Sequence, residues 1–118
     1  MGHKTIKGVG GEVHYWISRP NEEPKGTIVF THGLTADHTM FEKQIEYFKN
    51  KYIVIAWDVP MHGLSMPYND FSYENTARDI NQILVQEHIE KVCLVGMSMG
   101  GYPSQMFAHL YPERCNAS

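Results

Sequence analysis

The fold of this chain is decided by the stretch Val92-Cys93-Leu94-Val95-Gly96-Met97-Ser98-Met99-Gly100-Gly101. An unbroken apolar run comes first, then a serine with a glycine two residues away on either side, and then a segment of helical character. This order predicts a strand, a sharp turn with Ser98 at its apex, and a helix. Gly96 and Gly100 permit the turn, because a Cβ at either position would collide where the backbone doubles back.

The predicted turn gives Ser98 the position of a nucleophile. Its hydroxyl would project from the sheet, and the amide of Met99 at the helix start would face an oxygen bound beside it. A serine that attacks a carbonyl needs a base for its proton and donors for the oxyanion. Leu34 is the candidate for the second donor, because Gly33 lacks a side chain and lets that backbone approach the serine. The alternatives are an ordinary glycine-rich turn at Ser98 and a plain strand-to-helix loop at Gly33.

Four further segments have the pattern of strands. Gly10-Gly11 is suited to a tight hairpin turn, and it separates the segments 5–9 and 12–19. The second of these segments alternates apolar with polar residues. The chain is therefore expected to open with an antiparallel hairpin. Continuous apolar runs, typical of parallel strands covered on both faces, lie at 27–31, 52–57 and 92–97.

Helices are expected between the apolar strands. Thr39 and Glu42 make a capping-box pair, a second helix stripe runs through 73–84, and a last helix spans about 99–111. Since crossovers between parallel strands are right-handed, the alternation predicts an α/β fold: a three-layer α/β/α domain with a mostly parallel central sheet after the antiparallel hairpin. The first helix is marked by apolar residues at i, i+4 and i+7, namely Phe41, Ile45 and Phe48.

Composition narrows the classes of function. The net charge is −3 and no basic tract occurs, which argues against nucleic acid or an anionic membrane as a partner. The first six residues lack the long apolar core of a signal peptide, so a cytoplasmic chain is expected. Cys93 falls within an apolar strand and Cys115 near the far end, so both are expected to be free thiols. No zinc-type spacing occurs, and no metal or cofactor is expected.

The seven histidines divide into two groups. His32 and His62 lie in the loops that follow the predicted strands at 27–31 and 52–57. Each is expected to orient backbone through hydrogen bonds of its ring, and the alternative is that one of them is the general base. Solvated or packing roles are expected for the other five, which are His3, His14, His38, His88 and His109.

Three motifs together closely resemble the α/β-hydrolase superfamily over residues 26 to about 114. They are the turn at 96–101, the loop that begins His32-Gly33, and the loop at 58–65. The resemblance implies that Ser98 is the nucleophile and that Leu34 and Met99 donate backbone N–H groups to the oxyanion. It also implies that Asp58, His62 and Ser65 are structural members of the second loop. The residues expected to support the site structurally are His32, Gly33, Asp58, His62, Ser65, Gly96 and Gly100.

The same resemblance implies a serine hydrolase that acts on a small-molecule acyl substrate, an ester, thioester, lactone or related compound, through an acyl-enzyme at Ser98. Family members carry the acid and the histidine after the nucleophile, and only twenty residues, 99–118, follow Ser98 here. Residues 1–118 are therefore expected to be the N-terminal part of a single domain, a truncated α/β-hydrolase fold without the later strands and cap. The chain alone is expected to be inactive.

Two alternatives to this interpretation remain open. One is a non-catalytic fragment or binding module that keeps the pocket loops, and the other is acyl transfer or carbon–carbon bond hydrolysis at the same serine. The polar ending at 113–118 does not have the pattern of a buried strand. We therefore expect the strand at 92–97 to expose one edge, through which a second copy or a complementing fragment would add. The coding DNA beyond codon 118, read in all frames for an acid and a histidine, would distinguish the enzyme from the non-catalytic fragment.

Overall fold

The computed structural model describes residues 1–32, 38–58, 72–96 and 101–117. These residues form a six-stranded sheet in the order β1-β2-β4-β3-β5-β6. Three helices and two short 3-10 turns, His38–Phe41 and Pro112–Arg114, complete the described part. The strands are β1 Gly2–Lys7, β2 Glu12–Ser18, β3 Thr27–Thr31, β4 Ile53–Trp57, β5 Val92–Gly96 and β6 Cys115–Ala117, and the helices are α1 Glu42–Phe48, α2 Tyr73–Gln86 and α3 Gly101–Leu110.

The sheet is mixed, as the sequence predicted. The hairpin of β1 and β2 is antiparallel, and β2 runs antiparallel to β4. The pairs β3–β4, β3–β5 and β5–β6 are parallel. The strand β3 therefore lies in the middle of the parallel part, with β4 on one side and β5 on the other. The expected antiparallel opening followed by a mostly parallel sheet is confirmed.

Helices cover the sheet on both faces, so the three-layer architecture is also confirmed. The larger core lies against α2 and α3 and includes Trp57, Ile80 and Phe107. The smaller core lies against α1 and includes Phe30 and Ile45. All five residues of β3 and all five of β4 are buried, because helices pack on each side of these strands. The strand β2 buries only alternate residues, which are Val13, Tyr15 and Ile17.

The predicted capping box at the start of α1 is wrong. The N-cap of α1 is Phe41, with no hydrogen bond from a side chain, and Thr39 lies in the preceding 3-10 turn. That turn moves the helix start past Thr39, so Glu42 is the first helical residue and not the third. The apolar stripe of this helix is confirmed, since Phe41 and Ile45 are buried and Phe48 packs against the smaller core.

The polar ending of the chain forms a strand, which the sequence pattern did not predict. β6 pairs in parallel with the beginning of β5, with Val92 opposite Cys115 and Cys93 opposite Ala117. The guanidinium of Arg114 donates to the carbonyl of Ile89 at 2.8 Å and holds the segment in place. The expectation that β5 is an edge along its whole length is therefore wrong. Within the described residues only its second half, 94–96, lacks a neighbour on that side.

The two cysteines are free thiols, as expected. Cys93 packs against the smaller core and Cys115 against the larger core, so their side chains lie on opposite faces of the sheet. Two thiols on opposite faces of a sheet cannot reach disulfide geometry without a shift of the backbone. Burial raises the pKa of the Cys115 thiol, and nearby Glu113 adds to this effect.

A buried carboxylate ties the hairpin to the end of α2. Glu87, which follows that helix, accepts from Lys4 Nζ at 2.9 Å and from Arg19 Nη2 at 3.1 Å, and the hydroxyl of Tyr15 donates to it as well. Burial alone would raise the pKa of Glu87, but hydrogen bonds from Tyr15, Lys4 and Arg19 outweigh burial and hold that pKa below its ordinary value of 4.5. Burial and the adjacent carboxylate raise the pKa of Tyr15.

No helix in the described ranges combines the length and the apolar character that a bilayer-spanning segment requires.

The Glu87 cluster predicts a pH-dependent loss of stability. We expect Glu87→Gln to lower the free energy of unfolding at pH 7 by about 1–3 kcal/mol, because charge-assisted hydrogen bonds are lost in a buried site. Because folding lowers the pKa of this carboxyl, its stabilisation is present above pH 4.5 and is lost as the pH falls further. Urea unfolding at several pH values measures both effects. The control Glu74→Gln removes an exposed ion pair with Arg78, and an equal loss of stability there would contradict the assignment.

The free half of β5 predicts self-association of the chain. Val95, 37% exposed, lies in the part of β5 that no other described strand pairs on this side, and a second copy or a complementing strand would pair it there. We expect light scattering to show a mass that rises with concentration, and Val95→Lys to reduce that rise. Val85, 50% exposed on α2, gives the matched control Val85→Lys. A parent chain that is monomeric at all concentrations, or an equal effect of the two lysines, would contradict this prediction.

Candidate active site

Three strand ends meet at one edge of the sheet. Thr31, the last residue of β3, is opposite Trp57 of β4 on one side and Gly96 of β5 on the other. The chain proceeds from β3 to β4 in one direction and later returns to β5 on the opposite side, so this edge is a topological switch point. Open α/β sheets bind ligands in the crevice outside the carboxyl ends of the strands at such a point.

The predicted site residues that the structure describes lie at this edge. His32 follows β3, Asp58 follows β4, and Gly96 is the last residue of β5. The helix α3 begins at Gly101, so Ser98 precedes the first residue of α3 by three positions. The remaining predicted site residues lie outside the described part of the chain, and they are Gly33, Leu34, His62, Ser65, Ser98, Met99 and Gly100.

His32 and Asp58 are both fully buried. The backbone N–H of Asp58 donates to the carbonyl of His14 at 3.0 Å, which continues the pairing of β4 with β2 past the strand end. A general base has to reach the proton that it removes. Full burial of His32 therefore favours the predicted role in orienting backbone over the role of general base, and the roles of both residues stay predictions.

A buried hydrogen bond joins two of the three strand ends, and sequence reasoning missed it. The indole Nε1–H of Trp57 donates to Thr31 Oγ1 at 3.0 Å, and both residues are fully buried. Their side chains lie on the same face because the two residues are opposite each other in a parallel pair. The sequence offered one indication of this bond: a threonine and a tryptophan are the last residues of two apolar strands.

Two tyrosines lie where α2 and α3 begin. The rings of Tyr73 and Tyr102 are 5.2 Å apart between centroids and tilted by 33°. The start of α2 is also fixed by Ser72, whose hydroxyl accepts the N–H of Asn75 at 3.0 Å. The two helices that flank the larger core are therefore joined at the end of the molecule where the candidate site lies.

Nothing in the described ranges gathers three His, Cys, Asp or Glu side chains in the arrangement that a metal ion needs.

The comparison with protein families gives a match over most of the chain. The family model for the alpha/beta hydrolase fold matches residues 26–117. This range contains β3, β4, β5 and β6 together with all three helices. It leaves out the antiparallel hairpin of β1 and β2, which precedes it.

Curated relatives show the same similarity. The chain is 33% identical over 90 residues to a 3-oxoadipate enol-lactonase 2 of Acinetobacter baylyi, a match that covers 75% of this chain and 34% of the lactonase. It is 36% identical over 89 residues to an uncharacterised hydrolase of Bacillus subtilis, with 74% of this chain and 33% of that protein covered. The chain thus spans about a third of the length of these curated relatives.

Solved structures share the fold. A putative hydrolase from Bacillus subtilis superposes with a TM-score of 0.86 at 27% identity, covering 98% of this chain and 41% of that one. A thermophilic esterase from Thermogutta terrifontis gives a TM-score of 0.82 at 25% identity, covering 98% of this chain and 43% of the esterase. The described architecture therefore superposes on about two fifths of each of these chains.

Proposed function

The chain belongs to the α/β-hydrolase family, and from that premise we propose that Ser98 is the nucleophile of a serine hydrolase. The observation that carries the proposal is the alignment of Thr31 with both Trp57 and Gly96. This alignment brings the carboxyl ends of β3, β4 and β5 side by side, and the proposed site residues follow these three ends in the sequence. β5 ends at Gly96 and α3 starts at Gly101. The short segment between them has the length that a tight turn at Ser98 requires.

The proposed reaction begins when Ser98 Oγ attacks the carbonyl carbon of an acyl substrate. A histidine takes the hydroxyl proton, and the carbonyl oxygen becomes an oxyanion that accepts hydrogen bonds from the N–H groups of Leu34 and Met99. Collapse of the intermediate expels the leaving group, which receives the proton, and leaves an ester on Ser98. The same histidine then takes a proton from water, which attacks the acyl carbon. The ester bond to Ser98 breaks, the carboxylic acid leaves, and Ser98 Oγ regains its proton from the histidine. Loss of one oxyanion donor typically costs about 2.7–4 kcal/mol of transition-state stabilisation.

The substrate class is proposed from the relatives. One is named a 3-oxoadipate enol-lactonase and one solved neighbour an esterase. We propose a carboxylic ester or lactone as the substrate, because both present an electrophilic carbonyl carbon to the serine and both have a leaving group that departs through oxygen. Thioester cleavage, acyl transfer and carbon–carbon bond hydrolysis use the same first step and are the alternatives within this class.

The base and the acid are proposed to come from a further segment. His32 and Asp58, the two titratable residues that directly follow β3 and β4, are fully buried. The lactonase that this chain matches is about three times as long as the matched region. We therefore propose that a carboxylate and a histidine follow Ser98 on loops of later strands. The DNA beyond the codon for Ser118, translated in all three frames, should encode both.

The second candidate is a non-catalytic module that keeps the pocket loops. The full burial of His32 and Asp58 favours it for the chain by itself, since a general base has to reach the proton that it removes. The two candidates differ in one observable property. Only the enzyme needs a reactive Ser98, and only a segment with the base can make it reactive.

We predict that Ser98 is the serine labelled by a fluorophosphonate in the completed protein. By completed protein we mean this chain joined to the segment encoded beyond Ser118 or, where none is encoded, to the C-terminal part of the Acinetobacter baylyi lactonase. Ser98→Ala should abolish the labelling. The control is Ser18→Ala: Ser18, the last residue of β2 and opposite Val54, lies away from the carboxyl ends of β3, β4 and β5, and its substitution should leave the labelling unchanged. Mass spectrometry of the adduct identifies the residue. Labelling that persists in Ser98→Ala would place the nucleophile elsewhere.

We predict that the 118-residue chain by itself hydrolyses an activated ester at close to the background rate, with or without Ser98. In subtilisin, loss of the base histidine costs about 10⁶ in kcat, and oxyanion hole and binding retain only about 10³ to 10⁴ over water. A site open to water should retain still less. The measurement is ester hydrolysis by the parent and by Ser98→Ala. If turnover is substantial and depends on Ser98, then His32→Ala and His62→Ala are tested, and a loss in either would overturn the assignment of both as structural.

A further inference from the structure

The hydrogen bond between Trp57 and Thr31 lies at an unusual place in the core. Most of the side chains around it are apolar, and the larger core contains Val29 and Ile55 on the same face, two residues earlier in each strand. The indole N–H and the hydroxyl meet at 3.0 Å with both residues fully buried. An apolar pair of similar shape would fill this space without any polar group to satisfy. Core stability alone therefore does not account for the pair.

The position of the pair connects it to the candidate site. Thr31 is the last residue of the central strand, and Leu34, the proposed oxyanion donor, follows three residues later. On its other side Thr31 is opposite Gly96, and Ser98 follows two residues after that glycine. A shift of Thr31 would therefore move the loop that begins at His32 relative to the turn at Ser98.

We propose that Thr31 and Trp57 are positioning residues for the reaction. Their buried hydrogen bond fixes where the backbone leaves β3, and the proposed consequence is that the amide of Leu34, three residues later, would be held for the oxyanion. This inference rests on the proposed function for its catalytic consequence. Its structural consequence, the position of the Leu34 amide, is measurable without catalysis.

The physical reason is that any movement of Thr31 away from Trp57 would break this hydrogen bond and cost free energy. A buried indole N–H without an acceptor is strongly disfavoured, so the indole holds the Thr31 hydroxyl at hydrogen-bond distance. Oxyanion stabilisation depends on donors placed in advance at the right distance, and a misplacement of about 1 Å can cost about 100-fold in rate. One fixed contact at the start of the loop thus affects the rate as well as the stability of the fold.

The test uses Thr31→Val, which keeps the shape of the side chain and removes the acceptor, in the completed protein. We expect kcat and the rate of fluorophosphonate labelling at Ser98 to fall by about 10-fold, with KM within about twofold of the parent, because the loss falls on the transition state. Thr31→Ser restores the hydroxyl and should restore kcat to within about twofold. The matched control is Ile55→Val, at a fully buried position on the same strand as Trp57, which weakens the core but leaves the strand ends intact.

Nuclear magnetic resonance of the same variants provides the second measurement. In Thr31→Val, the resonances of the Trp57 indole N–H and the Leu34 amide should shift, and both should return in Thr31→Ser. If the parent is not labelled at Ser98, the proposed function fails, and these resonances alone decide the positioning role. The inference is overturned if Thr31→Val leaves the Leu34 amide and kcat unchanged, or if Ile55→Val lowers kcat as much as Thr31→Val does.

Discussion

The pairing of β3 with β4 on one side and β5 on the other is the constraint on which the rest of the structure depends. Parallel neighbours on both sides require long crossovers, and these crossovers contain the helices that cover the sheet. Because both faces are covered, every residue of β3 and β4 is buried. The same pairing places the carboxyl ends of β3, β4 and β5 side by side, so the position of the candidate site follows from the order of the strands.

Buried polar contacts add directional links between the strands and helices of this sheet. The carboxylate of Glu87 joins β1, β2 and the end of α2 through Lys4, Tyr15 and Arg19. The indole of Trp57, which is opposite Tyr15 in the sheet, joins β4 to β3. Hydrophobic burial is not directional, whereas a buried hydrogen bond is lost when its partners move apart. These contacts therefore determine the relative positions of strands and helices.

The sequence predicted the parts of the fold that rest on local patterns, and β3 was predicted at its observed bounds. The order of Gly96, Ser98 and Gly100 predicted a strand that ends and a helix that starts where β5 and α3 do so within a few residues. Contacts between distant segments were not predictable, because nothing local to Trp57 indicates Thr31 as its partner. β6 was missed because a three-residue edge strand needs no apolar run, and the capping box failed because a 3-10 turn delays α1.

The proposed acyl-transfer site is centred on Ser98, beside the carboxyl ends of β3, β4 and β5. A crystal structure of the completed protein with a phosphonate bound tests it most directly, because the phosphonate oxygen occupies the place of the oxyanion. We expect a phosphorus–oxygen bond to Ser98 Oγ, with the phosphonate oxygen within about 3 Å of the Leu34 and Met99 nitrogens. A phosphonate on another side chain, or an oxygen that meets neither amide, would contradict it.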